Sequence, residues 1–189
     1  MVNMLKVIGA IVVLLAIIAF AMFGKKALRT LIFKTAKTQN NEGLWLEIVT
    51  ATLAITIALA YYLQNEPIAD PFMWIGLLIF IGGWIFQFIN RKHLGDNRTY
   101  EERLASGFNA AQLGIYSKLR HPSQSALLII LFGFSLSLGS IWACAIVLFL
   151  VLPSAIYRVS QEERALYEKF GERWLDYKED TKRIIPYVF

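Results

Sequence analysis

Apolar blocks at residues 4–23, 44–63, 72–89 and 123–152 alternate with charged intervals, and this segregation limits what the chain can fold into. A bilayer core of ~30 Å takes ~20 apolar residues per helix. Charged residues make up 17% of the chain against 57% hydrophobic, and the mean hydropathy is +0.50. A soluble domain of this length carries more charge. The polar intervals are too short to bury a core of their own. The chain therefore reads as a single all-α domain, a polytopic integral membrane protein.

The first block ends at Lys25 and Lys26. Ala19-Phe20-Ala21 loosely resembles a signal-peptide cleavage site, but the apolar run is long for such a peptide and its positive charge follows it. A retained helix is the favoured reading. Residues 25–37 are basic, with Leu28, Leu31 and Ile32 on one helical face. They suit a short helix lying in the headgroup region or a plain basic loop, and both readings stand. In the third block Gly76, Gly82 and Gly83 either admit a close neighbour or merely face lipid. Residues 123–152, broken at Gly139-Ser140, are too few for two full spans of ~20 residues each. They predict a tight hairpin with a short first limb. The second limb continues through residues 154–170, with a kink expected at Pro153 and a stop at Gly171. A short amphipathic helix over residues 172–180, carrying Trp174 and Tyr177, follows. The total is about five transmembrane helices.

Loop charges orient them. Lys25, Lys26, Arg29, Lys34 and Lys37 lie in the first interval against Glu42; Glu66 and Asp70 lie in the second; Arg91, Lys92, Arg98, Arg103, Lys118 and Arg120 lie in the third. By the positive-inside rule the first, third and C-terminal intervals are cytoplasmic and the N-terminus is outside. Topology thus accounts for the net charge of +5, and nucleic acid is not implied. A single cysteine, Cys144, excludes an internal disulfide and a Cys-rich metal site. His93 and His121 are the only histidines, and their spacing suggests no metal centre.

Two polar stretches flank the hairpin. A hairpin returns the chain to its starting side, so both meet at the cytoplasmic surface. One runs from Leu113 to Pro122 and includes Tyr116, Arg120 and His121; the other begins at Arg158 and includes Glu162 and Glu163. Each residue has an ordinary structural reading. Arg158 can snorkel from a helix end, Arg158 and Glu162 are spaced for a helix-surface ion pair, and His121-Pro122 can start a helix. Their convergence at one surface favours a site.

The pattern is more specific than its parts. Gly114-Ile115-Tyr116, then Arg120-His121-Pro122, precede the hairpin. Arg158, Glu162-Glu163, Leu166, Phe170-Gly171, Tyr177, Arg183 and Pro186 follow it. This arrangement resembles the isoprenylcysteine carboxyl methyltransferase family, and the related phospholipid methyltransferases share much of it. The resemblance covers about residues 72–189, including His93-Leu94-Gly95-Asp96-Asn97. It divides the domain into N-terminal helices at residues 1–70 and a methyltransferase-like catalytic region at residues 71–189.

The resemblance implies transfer of a methyl group from S-adenosyl-L-methionine to a lipidic small molecule or lipidated substrate, such as a prenylcysteine-like carboxylate or a phospholipid amine. It places the cofactor at the cytoplasmic face, on Phe108, Asn109, Ala110, Ala111, Tyr116, His121, Pro122, Ser123, Gln124 and Glu162. It sets Arg158 toward the substrate. An in-line displacement needs mainly alignment, and a water-soluble cofactor with a greasy acceptor calls for a site at the interface. Two positions depart from the family. Gln124 stands where a Tyr is usual, and Phe108 where a His is common. These departures are the best support for a non-catalytic relative. A further alternative is a membrane reductase of the sterol-reductase type, using NADPH; the Arg-His-Pro element favours the methyltransferase.

Overall fold

The computed structural model describes residues 42–65, 71–94 and 114–184, together with Val13. Among these no strand forms, and the secondary structure is helical. Helix α1 spans Glu42–Gln64 and α2 spans Pro71–Leu94. A 3-10 turn at Gly114–Ser117 leads to α3, Pro122–Ser137. Helix α4 runs over Ile141–Phe170 and α5 over Glu172–Asp180. The first apolar block apart from Val13, the basic segment 25–37, and Phe108 to Ala111 lie outside the described residues.

Glu42–Gln64, Pro71–Lys92 and Ile141–Phe170 are long and apolar enough to cross a membrane. Helix α3 is the short limb expected of the hairpin; its 16 residues rise ~24 Å, less than a bilayer core. The turn between limbs uses Gly139 at φ 73° and Ser140, whose Oγ accepts from the Ala143 N–H to cap α4. The sequence predicts a kink at Pro153. Directly before it a π-helical turn forms at Val147–Val151, with the Leu152 N–H donating to the Val147 carbonyl. Proline lacks an N–H and crowds the carbonyl four residues back. Widening the preceding turn lets α4 continue to Phe170, where Gly171 at φ 57° ends it.

Lipid tails are as apolar as leucine, so close packing matters more than burial in joining these helices. Helices α2 and α3 meet along small residues. A Cβ on Gly76 would lie 2.4 Å from the Ser137 nitrogen, one on Gly83 would lie 2.8 Å from the Ile130 side chain, and one on Gly133 would lie 2.4 Å from the Phe80 nitrogen. Gly82 faces open space. Phe80 and Phe134 fill the seam with Ala58, Leu138 and Ala143. Helix α1 runs along α4 and touches α3, with Ala54 packed beside Leu131, Val147 and Val151. Large side chains such as Leu78, Ile141 and Phe149 point outward, as lipid contact requires.

Gly133→Ala should cost ~1–3 kcal/mol through overpacking. Gly82→Ala should be neutral or stabilising, since Ala exceeds Gly by ~1 kcal/mol in helix propensity. Thermal unfolding in detergent compares them, and equal effects would reject this seam.

Candidate active site

Helix α4 is ~45 Å long at 1.5 Å per residue, longer than a hydrocarbon core. Its last turns, from Arg158 onward, are therefore free to carry charge. Gly171 turns the chain back, and α5 lays Trp174 and Tyr177 against Leu166 and Phe170. The Tyr177 hydroxyl donates to the Tyr116 carbonyl at 2.7 Å, joining α5 to the turn before α3. The chain after α5 then runs beside residues 118–121. Arg120 N–H donates to the Lys182 carbonyl at 2.8 Å, His121 N–H to the Arg183 carbonyl at 3.1 Å, and Lys182 N–H to the Lys118 carbonyl at 3.0 Å. The two polar stretches on either side of the hairpin are thus brought together.

Glu163 is the centre of this junction. Its buried carboxylate accepts from Arg120 Nε at 2.9 Å on one oxygen, and from Arg183 Nη2 at 2.6 Å and Nε at 3.1 Å on the other. Arg120 also donates to the Lys178 and Thr181 carbonyls. His121 sits between the paired glutamates: Nδ1 lies 3.7 Å from Glu162 Oε2, and Nε2 lies 3.5 Å from Glu163 Oε1. Its Nε2 is shielded from solvent and makes no hydrogen bond. Pro122 is the first residue of α3, where a missing N–H does no harm.

A second cluster adjoins the first. Arg158 Nε donates to Glu162 Oε1 at 3.1 Å, and Nη1 to Glu47 Oε2 at 2.7 Å. Glu47, 2% exposed, lies in the first turns of α1. With its amide oriented to satisfy both neighbours, Gln124 donates to Glu47 Oε1 at 2.7 Å and accepts from Arg158 Nη1 at 3.3 Å. Helix α1 approaches closely here because Gly43 faces α4; a Cβ on it would lie 2.9 Å from Arg158 Cα. One helical turn on, Thr50 and Ser154 share a 3.0 Å hydrogen bond.

Of the residues singled out from sequence, His121, Pro122, Gln124, Arg158 and Glu162 come together, with Tyr116 buried alongside. Ser123 is exposed in the first turn of α3. Sequence reasoning missed Glu47, and the signal was present: a lone carboxylate inside a long apolar block is expensive unless it has a function or a partner. It also left Glu163 without a role.

Chemically, this end of the helix bundle offers an imidazole, two partly or fully buried carboxylates not consumed by Arg120 and Arg183, a guanidinium and an amide. Such a set can hold a polar, zwitterionic molecule. Among the described residues, no group of histidine, cysteine and carboxylate side chains could hold a metal ion. A sequence model of the family described as phospholipid methyltransferase matches residues 71–173, more than half of the chain. No curated protein and no solved structure matches the chain.

Glu163→Gln should lower stability by ~3 kcal/mol or more, because it leaves two guanidiniums facing a neutral amide. Glu162 is partly exposed, and Glu162→Gln should cost no more than ~1 kcal/mol. Unfolding midpoints of the two variants in detergent measure the difference, and an unchanged midpoint for Glu163→Gln would dissolve the proposed junction.

Proposed function

The chain belongs to the phospholipid methyltransferase family, and from that premise we propose that it moves a methyl group from S-adenosylmethionine to a lipidic acceptor. The reaction takes place at the cytoplasmic face of a membrane crossed about five times, with the N-terminus outside. The observation that supports this most is the meeting of His121, Glu162 and Arg158 at one end of the bundle, where α4 emerges from its apolar part. The reductase alternative gains nothing from the family match.

The residues present fit the cofactor. His121 is buried between the Glu162 and Glu163 carboxylates, and the set of donors and acceptors around it matches a nucleoside carrying an amino acid. Tyr116, His121, Pro122, Ser123, Gln124 and Glu162 would hold it, with Phe108, Asn109, Ala110 and Ala111. When bound, it supplies a methyl group on a sulfonium. The chain's task is alignment. Glu162, fixed by Arg158 and adjacent to His121, presents a carboxylate to cationic or hydroxyl groups.

Arg158 faces the acceptor. Its Nε is committed to Glu162 and its Nη1 to Glu47, which leaves Nη2 for an anionic oxygen. In the cluster around Arg158, two carboxylates face one guanidinium. That balance favours a phospholipid amine over a prenylcysteine-like carboxylate, with a headgroup phosphate on Nη2 and the amine toward the carboxylates.

S-adenosylhomocysteine should raise the unfolding midpoint. Binding only the folded state stabilises by ~2.7 kcal/mol at a hundredfold excess over Kd. Glu162→Gln should weaken that binding. Incubation with labelled S-adenosylmethionine and a membrane extract should label an amine-bearing phospholipid. No shift at millimolar ligand in a folded sample would reject the methyltransferase reading, and a labelled carboxyl ester would reverse the choice of acceptor.

Arg158→Ala strands the buried Glu47 carboxylate and should cost ~3–5 kcal/mol. Pairing it with Glu47→Leu removes both charges and should restore stability. Turnover should remain absent in the double variant while S-adenosylhomocysteine still binds. Recovery of turnover there would reduce Arg158 to a counter-ion of Glu47.

A further inference from the structure

Asn90 is a buried amide with nothing to bond. It is 1% exposed, and neither Nδ2 nor Oδ1 has a hydrogen-bond partner. One turn earlier on α2, Gln87 Oε1 is shielded and unpaired as well. An amide withdrawn from water without partners is a standing loss of stability, and each such group calls for an explanation. In a helix of this apolar character, Asn and Gln usually bond a neighbouring helix, and Asn90 does not.

Helix register indicates the level at which Asn90 sits. Gly76 meets Ser137 and Gly83 meets Ile130. Each step is seven residues forward on α2 and seven back on α3, so the same faces stay in contact. One further step in the same register would bring Asn90 to the level of Ser123, in the first turn of α3. Helix α2 also contacts the 3-10 turn that carries Tyr116. That first turn of α3 has no side-chain cap. His121, just before it, is buried, with Nε2 3.5 Å from Glu163 Oε1. By this register an unpaired amide, the imidazole held between Glu162 and Glu163, and the start of α3 fall at one end of the molecule.

We infer that Asn90 belongs to the cofactor site, where its amide receives the adenine edge of an S-adenosyl ligand laid against the first turn of α3. This rests on the methyltransferase reading above. An amide presents a donor and an acceptor side by side in one plane. Adenine presents the complementary pair, its N6 amino group beside a ring nitrogen. The ligand's amino-acid end is charged and has another partner, with Glu162 suited to its ammonium. Gln87 Oε1 extends the same polar face by one turn.

Asn90→Leu tests this, because Leu keeps the bulk and removes the amide. Deleting an unpaired buried amide should hold or raise the unfolding midpoint of the ligand-free protein. The Kd for S-adenosylhomocysteine should rise about tenfold or more. The Kd for 5′-methylthioadenosine, which lacks the amino-acid end, should rise by the same factor. Unchanged affinity for both ligands overturns the assignment. Loss of S-adenosylhomocysteine with 5′-methylthioadenosine retained shows that Asn90 serves the amino-acid end, and overturns it as stated. A lowered midpoint with unchanged relative affinity makes Asn90 structural. If wild-type protein itself binds neither ligand, the methyltransferase reading fails first. Should Asn90→Leu not fold, Asn90→Ala answers the same question.

Discussion

One buried carboxylate holds together the end of this protein that carries the proposed site. Glu163 accepts from Arg120 before α3 and from Arg183 after α5, so three separate parts of the chain meet on two oxygen atoms. Apolar groups of the same shape would join them at least as strongly, because desolvation offsets most of what an ion pair gains. They would not set an angle, however. A planar carboxylate between two planar guanidiniums fixes the rotation of α4 about its axis. The neighbouring Glu162 is thereby turned toward His121 and Arg158.

The same logic operates on the α1 side. Gly43, Glu47 and Thr50 form a stripe at helical spacing, facing Gln161, Arg158 and Ser154. Glycine gives the approach, the ion pair gives the direction, and the hydroxyl pair closes the next turn. This stripe lies outside the segment that the family match covers. The acceptor end of the proposed site is therefore partly built by a helix that family membership alone would not have pointed to.

The helices were legible in the sequence because block length and punctuation state them directly. The 44–63 and 72–89 blocks sit inside α1 and α2, the short limb is α3, Gly171 ends α4, and residues 172–180 form α5. The π-helical turn before Pro153 was less legible, since how a helix accommodates a proline depends on its neighbours. Which of Gly76, Gly82 and Gly83 would face α3 was open for the same reason. The pairing of Glu47 with Arg158, 111 residues apart, could not be read from local pattern at all. A buried carboxylate states that it needs a partner, but only packing says which one.

Gln124 illustrates how a departure from a family pattern can acquire a local cause. Taken with the sequence alone, a glutamine where a tyrosine is usual suggests a weakened site. In the fold its amide bridges Glu47 and Arg158, filling the carboxylate oxygen that Arg158 does not take. A tyrosine hydroxyl is a single group on a rigid ring and cannot both donate to Glu47 and accept from Arg158 through two separate atoms. An amide can. The presence of Glu47 on α1 and of Gln124 on α3 is thus one arrangement. The glutamine completes the pairing of a charge that the apolar part of the molecule could not otherwise contain.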